Sequence, residues 1–363
     1  MAKINYYISG HGFGHATRAI EVINHLPESV EVEIITQVPE WLFKKSVYRA
    51  YRYQELFHDP GIIQKDSLRQ DVGRTCQRWT QLLEEYPAMA RAEADRILDE
   101  KVRLAAGDVS PFTIAAARAA GIPSVITANF TWDWIFTAFS DTQPEFRTII
   151  DAIASYYREA RLLLRTPLAG DLSVFPVIRD VPLIVRRSRL SREAARAKFG
   201  VPPDARAVLI SFGGMGLQGL RAEHPARYGD ITFLTFDPQL AGPANVRLLD
   251  SQTVYHPDAV RASDLVLAKL GYGIVTECIA HRVPIAHPPR ADFLEHEILE
   301  RETRCYVPLY PISEKDLLSG NWDFLYDLYE DQERKPSPSG VDSVSLDGGR
   351  VAADWLMAMM NGA

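Results

Sequence analysis

Short apolar runs alternate with helical stretches along almost the whole chain. In the first half, runs at residues 4–8, 31–36 and 123–128 read as strands, with shorter ones near 52–57 and 102–106. Ile20, Val22, Ile23 and Leu26 recur at helical spacing after the first run. Residues 111–120 read as a helix, with Pro111 in its first turn and Gly121 as its stop. Between Asp66 and Arg103 lies a long, charged, helix-forming stretch that Pro87 is expected to interrupt. The second half repeats the alternation. A helix over 192–199 and a turn at 200–203 lead to a strand from Ala207 to Phe212, and further strands are expected at 231–236, 246–249, 265–268 and 283–287. This order predicts βαβ units and parallel sheets.

At 363 residues the chain exceeds one comfortable core, so two domains are expected. We place them at 1–165 and 166–348, with Leu168 to Arg189 as the connection. Residues 333–349 are rich in Pro, Ser and Gly and read as a mobile loop. A last helix, within 349–363, carries Val351, Trp355, Leu356 and Met359, an apolar face expected to pack back on the first domain.

Composition adds little to this picture except by exclusion. Hydrophobic residues at 47% and charged residues at 24% are the profile of a globular protein. A net charge of −7 offers no general attraction to nucleic acid or an anionic membrane, and Arg186, Arg187, Arg189 and Arg192 read as a solvated loop and helix start. Cys76, Cys278 and Cys305 have neither metal-ligand nor disulfide spacing. With no signal-like start and no run of about 20 apolar residues, a cytoplasmic protein is expected.

The candidate chemistry sits where strands turn into helices. Gly10-His11-Gly12-Phe13-Gly14-His15 joins the first strand to the first helix. Glycines there remove Cβ obstruction, and the free N–H groups of the helix start favour anionic oxygen. His11 and His15 add groups that exchange protons near neutral pH. Gly213, Gly214 and Gly216 form a second such turn, and Gly271, Tyr272 and Gly273 open a third, with Thr276 and Glu277 in the helix that follows. Glu277 reads either as an acceptor for a ribose diol or as a complement to the helix dipole. Asp292, Glu295 and His296 stand where a loop meets a helix and suit sugar hydroxyls, although an ordinary charged helix start has the same look. Asn129, Trp132, Asp133 and Trp134 follow a strand on the ligand-binding edge of the first sheet. The tryptophans read as sugar-stacking faces or as core.

Taken together, the turn at 10–15, the segment 269–277 and the loop 290–297 resemble GT-B nucleotide-sugar glycosyltransferases. The nearest types are the family of the lipid-II-forming N-acetylglucosaminyltransferase and the galactolipid synthases. A closer similarity is to the glycosyltransferase-like N-terminal region of plant arabinokinases, at Gly10–Arg18, Asp108-Val109-Ser110-Pro111, 129–133, 212–214 and 269–277. The resemblance implies an α/β protein with two Rossmann-like domains facing across a cleft. By it, His15 is the general base, with His11 a competitor and Asp133 an alternative. Gly12, Gly14, Gly213, Gly214, Gly216 and the 271–273 turn face the donor diphosphate, Glu277 holds the ribose, and Leu249 offers its backbone to the nucleobase. Asp292 and Glu295 touch the donor sugar, and Asn129 and Trp132 the acceptor. Leu270 departs from the family, which often has a small hydroxyl residue there.

The function expected is transfer of a sugar from a nucleoside-diphosphate sugar, a uridine one by preference, to an acceptor hydroxyl. Inversion is implied by the resemblance alone. No cofactor or metal is called for, and the donor is a co-substrate. The acceptor, a glycan, a lipid or a small molecule, is unspecified, and peripheral membrane contact stays open. Two other classes share the architecture: nucleotide-sugar epimerases or hydrolases, and a non-catalytic nucleotide-sugar-binding module.

Overall fold

The computed structural model describes residues 2–214, 216–334 and 338–362. Its first sheet is wholly parallel, with order β3-β2-β1-β4-β5-β6-β7. These strands are β1 (Ala2–Ile8), β2 (Val30–Thr36), β3 (Arg52–Glu55), β4 (Val102–Asp108), β5 (Ser124–Ala128), β6 (Leu162–Arg165) and β7 (Ile178–Asp180). The second sheet is also parallel, with order β10-β9-β8-β11-β12-β13. It comprises β8 (Arg206–Ser211), β9 (Ile231–Thr235), β10 (Val246–Leu248), β11 (Leu265–Ala268), β12 (Ile285–His287) and β13 (Leu309–Pro311). Central strands such as β1 and β11 are buried on both faces because helices cover both.

Two expectations about boundaries change. The first sheet runs past residue 165, since β6 and β7 add its last two strands. β7 is a short, largely exposed edge strand of only Ile178, Arg179 and Asp180, so it lacks the apolar run that marks a buried strand. β13 escapes notice for the same reason. Pro87 does not interrupt its helix, which is continuous over Val72–Asp99. Trp79, Leu82, Tyr86, Ala90 and Ile97 form one buried stripe on both sides of it. Pro87 itself is exposed, so the carbonyl that loses its partner lies on the solvent side.

The stretch 333–349 is also more ordered than a plain loop. A helix continues to Arg334, Ser339–Asp342 form a 3₁₀ turn, and residues 335–337 lie outside the described set. The Leu183 N–H then donates to the Ser345 carbonyl at 3.2 Å, and the Gly348 N–H donates to the Leu183 carbonyl at 3.1 Å. The chain therefore crosses between domains twice, at neighbouring places. A Cβ on Gly348 would lie 2.1 Å from the Pro182 carbonyl oxygen, which explains the glycine.

The last helix, Gly348–Met360, packs on the first helix, Gly12–His25. Ala352, Ala353, Leu356, Met359 and Met360 join Ile20, Val22 and Ile23 in one buried cluster. Leu356→Ala opens a cavity there and is expected to cost about 3 kcal/mol, read as a lower urea midpoint at unchanged slope.

Candidate functional site

In both sheets the strand order reverses at one place, between β1 and β4 in the first and between β8 and β11 in the second. The helices leave in opposite directions there, which opens a crevice beyond the carboxyl ends of the strands. The Gly10–His15 turn leaves β1 at the first switch point, and Asp108 ends β4 beside it. The Gly213–Gly216 and Lys269–Gly273 turns leave β8 and β11 at the second. Gly12 has φ +69° and Gly213 φ +76°, so both turns use a left-handed backbone that favours glycine. The two crevices face each other. A Cβ on Gly273 would lie 3.5 Å from Gly14 Cα and 3.2 Å from Thr17 Oγ1.

His15 sits in the first turn of its helix and its Nδ1 lies 2.8 Å from Asp108 Oδ1. A carboxylate oxygen only accepts, so Nδ1 carries the proton and Nε2 holds the free lone pair. Asp108 is fully buried. Burial alone would raise its carboxyl, but the Arg18 guanidinium and His15 hold it below the usual range. Arg18 Nε and Nη2 donate to Asp108 Oδ2 and Oδ1 at 2.7 and 2.8 Å, a bidentate fork. Its Nη1 donates to Asn129 Oδ1 at 2.6 Å, and Asn129 Nδ2 donates to Glu295 Oε1 at 2.8 Å. Arg18 also lies over the Tyr272 ring, 4.7 Å from its centroid. One polar chain thus runs from the His15 imidazole into the second domain.

A buried wall surrounds the two histidines. Trp132 meets His11 edge-on at 5.2 Å, and Phe130 meets His15 at 5.5 Å. Phe293, from the second domain, stacks on His11 at 6.2 Å. Burial, together with His15, Arg290 and Lys269, holds the His11 imidazole well below its ordinary value. Beneath them lies Asp59, whose Oδ2 accepts from Trp132 Nε1 at 2.9 Å and whose Oδ1 accepts from the Gly61 N–H at 2.8 Å. Burial pushes its carboxyl up to about 6 despite these donors.

Across the gap, Glu277 is buried between two donors. Arg186 Nη2 lies 2.7 Å from Oε1, and His256 Nδ1 lies 2.6 Å from Oε2. Ser211 Oγ is 3.0 Å from His256 Nε2. Burial would raise Glu277, yet Arg186 and His256 bring it down to about 2. Thr17, Arg186, Gly273, Thr276 and Glu277 line a common gap between the domains.

Comparison with solved structures decides the fold. A UDP-glucosyltransferase from Polygonum tinctorium superposes with a TM-score of 0.65, at 14% identity, over 100% of this chain and 99% of that one. CalG4, the calicheamicin glycosyltransferase, gives 0.61 at 16% identity over 100% and 99%. MurG of Acinetobacter baumannii gives 0.57 at 15% over 99% and 100%. The chain has the GT-B fold. No family model matches it. L-arabinokinase of Arabidopsis thaliana is 30% identical over 356 residues, 97% of this chain. The chain spans about a third of the length of that relative, 34%.

Within the GT-B cleft the expected site residues divide. His11, His15, Gly12, Gly14, Gly213, Gly271, Tyr272, Gly273, Thr276 and Glu277 line the meeting of the two switch points, while Gly214 stands against the Phe13 ring and the Gly216 carbonyl is tied to Ser67 of the first domain. Others stand elsewhere or are already engaged. Asn129 and Trp132 are fully buried, and their polar groups serve Arg18, Glu295 and Asp59. Neither offers a free face to an acceptor. Asp292 is exposed with φ +56°, and its backbone carbonyl faces Gln70. Glu295 is buried and already holds Asn129. The Leu249 N–H is taken by the Thr235 carbonyl at 2.8 Å. Asp133 lies on the buried Tyr157 and Asp171 side, and burial raises its carboxyl. Among the described residues no group of three or more His, Cys, Asp or Glu is placed to hold a metal ion, and no helix is long and apolar enough to cross a membrane.

The residues that sequence reading missed are Asp108 as the histidine's partner, Arg18, Asp59, Arg186, His256, Lys269 and Arg290. Asp59 carried a signal, since His58-Asp59-Pro60-Gly61 has turn-forming composition in the loop between β3 and the Val72–Asp99 helix. Asp108, Arg18, Arg186 and His256 are defined by partners far away in the chain, and Lys269 and Arg290 by their burial.

Asp59 ionises near 3.8 when unfolded and about 6 when folded, so above pH 6 the native state carries a charge that burial disfavours. Stability should therefore fall as pH rises from 4 to 7, by about 3 kcal/mol relative to Asp59→Asn, in denaturation curves taken across that range. Glu277→Gln leaves Arg186 buried without its counter-charge and is expected to cost about 3–5 kcal/mol at pH 7, in the same measurement.

Proposed function

We propose that this protein is a glycosyltransferase that moves a sugar from a nucleoside-diphosphate sugar to an acceptor hydroxyl. One observation carries the reading. The His15 imidazole has its Nδ1 held by buried Asp108, and the helix start that carries it meets the Gly271–Gly273 helix start of the opposite domain across the GT-B cleft, where a Cβ on Gly273 would lie 3.5 Å from Gly14 Cα. A hydroxyl nucleophile needs a base within hydrogen-bond reach, and a departing diphosphate needs fixed positive dipoles. His15 Nε2 supplies the first, and the N–H groups of two facing helix starts supply the second.

In this reading the acceptor oxygen attacks the anomeric carbon as His15 Nε2 takes its proton. The bond from that carbon to the diphosphate oxygen breaks, and its electron pair leaves with the nucleoside diphosphate. Asp108 keeps the imidazole in the right tautomer and stabilises the imidazolium as it forms. A single displacement of this kind inverts the anomeric centre. Similarity over the whole chain to the UDP-glucosyltransferase of Polygonum tinctorium supports uridine diphosphate as the carrier. In this reading the ribose is held on the Glu277 side of the cleft, where Glu277 would share its oxygens with Arg186 and His256.

The test is calorimetric binding of nucleoside diphosphates and their sugars, followed by an acceptor screen that detects nucleotide release. One nucleotide is expected to bind tightly. Gly271→Ala places a Cβ where no other atom lies within 4 Å, so the fold should be unaffected while the phosphates lose close approach, with at least about tenfold weaker binding. His15→Ala should lower kcat by about 10²–10⁴-fold with binding retained. Absence of binding across the panel overturns the reading. Binding with no transfer to any acceptor would favour a non-catalytic module.

A further inference from the structure

Two cations in the cleft are left over by the site described above. Arg290 follows β12 and is buried, with its guanidinium over the Phe293 ring at 3.6 Å. Its Nε and Nη2 are both buried, and neither has a hydrogen-bond partner among the described residues. Lys269 ends the β11 turn beside Gly213, where a built Cβ would lie 3.9 Å from Lys269 Cε. Among the described residues its ammonium makes no hydrogen bond or ion pair. The two repel each other, and both act on His11. Glu295 favours both of them and Asp66 favours Lys269, but Glu295 is already bound to Asn129 and Asp66 to Arg69. Burial lowers Lys269 to about 7 and Arg290 to about 10, the mark of cations short of a counter-charge.

A buried guanidinium with two idle donors is costly unless an anion completes it. Nε and Nη2 form one edge of the guanidinium fork. That same edge of Arg18 grips the Asp108 carboxylate bidentately. Its shape matches a carboxylate or a phosphate. Position narrows the choice further. Arg290 is on the wall that Phe293 makes with His11, whose ring lies 6.2 Å from that of His15, while Lys269 stands beside the Gly213 and Gly271–Gly273 turns. In the reading above, the group between the base and the diphosphate turns is the transferred sugar.

We propose that Arg290 and Lys269 bind a carboxylate on the transferred sugar, so that the donor is a nucleoside-diphosphate uronic acid. This rests on the donor-site reading given under the proposed function. The full-length protein is titrated by calorimetry with UDP, UDP-glucose, UDP-glucuronate, UDP-galactose and UDP-galacturonate. One uronate should bind at least about tenfold more tightly than its neutral hexose counterpart, as for a charge-assisted pair. Arg290→Gln should erase that ratio and leave UDP affinity within about twofold. Lys269→Met, at a half-buried position, should reduce the ratio and serves if Arg290→Gln does not fold. Equal affinity for uronate and hexose, in both sugar series, overturns the proposal while leaving the donor site standing. So does an equal loss of UDP and uronate binding in the variants, which would assign the cations to the diphosphate. Failure of all five to bind overturns the donor-site reading, and this proposal with it.

Discussion

The fork between Arg18 and Asp108 is the contact on which the rest of the cleft depends. Both side chains are buried, so each charge is tolerable only because the other is present. Asp108 spends its remaining capacity on His15 Nδ1, which sets the tautomer and aims Nε2 into the cleft. Arg18 spends its third donor on Asn129 and its face on Tyr272. Loss of either charge would therefore disturb the base, the first sheet's edge and the domain contact together.

The second domain has its own version of this arrangement. Glu277 is fixed by Arg186 from the inter-domain connection and by His256, which Ser211 holds in turn. Because Arg186 lies just beyond the place where the chain first crosses between domains, the carboxylate is tied to the crossing itself. The Leu183 contacts to Ser345 and Gly348 tie the return crossing to the same point. Both networks end at the same gap, and in the second the Arg186 Nε is buried without a hydrogen-bond partner among the described residues. Arg290 differs in that two of its donors, Nε and Nη2, are buried without partners among the described residues.

Packing explains why the site could be read only in part. Glycine turns after apolar strands are local features, and they appear where expected at 10–14, 213–216 and 271–273. The roles of acidic residues are not local. Asp292 and Glu295 sit at a helix start that looks sugar-binding in one dimension, yet one faces solvent and the other is buried on Asn129. Trp132 looks like a stacking platform, but the turn carries it inward to Asp59. An amino-acid type names what a side chain can do. Its burial decides what is left for it to do.

By itself the sequence determined the alternation of strand and helix, the parallel sheets and the glycine turns, because apolar periodicity and backbone freedom act over a few residues. It also pointed to the GT-B fold through the order of its motifs. Only the tertiary structure brought Asp108 to His15, since those partners lie 93 residues apart and meet where the sheet order reverses. It alone decided that Pro87 sits within an unbroken helix, because the buried stripe on either side outweighs one missing backbone hydrogen bond. The short edge strands β7 and β13 were likewise a tertiary matter. With one neighbour each, they need little apolar sequence of their own, and pairing with an existing sheet supplies their order.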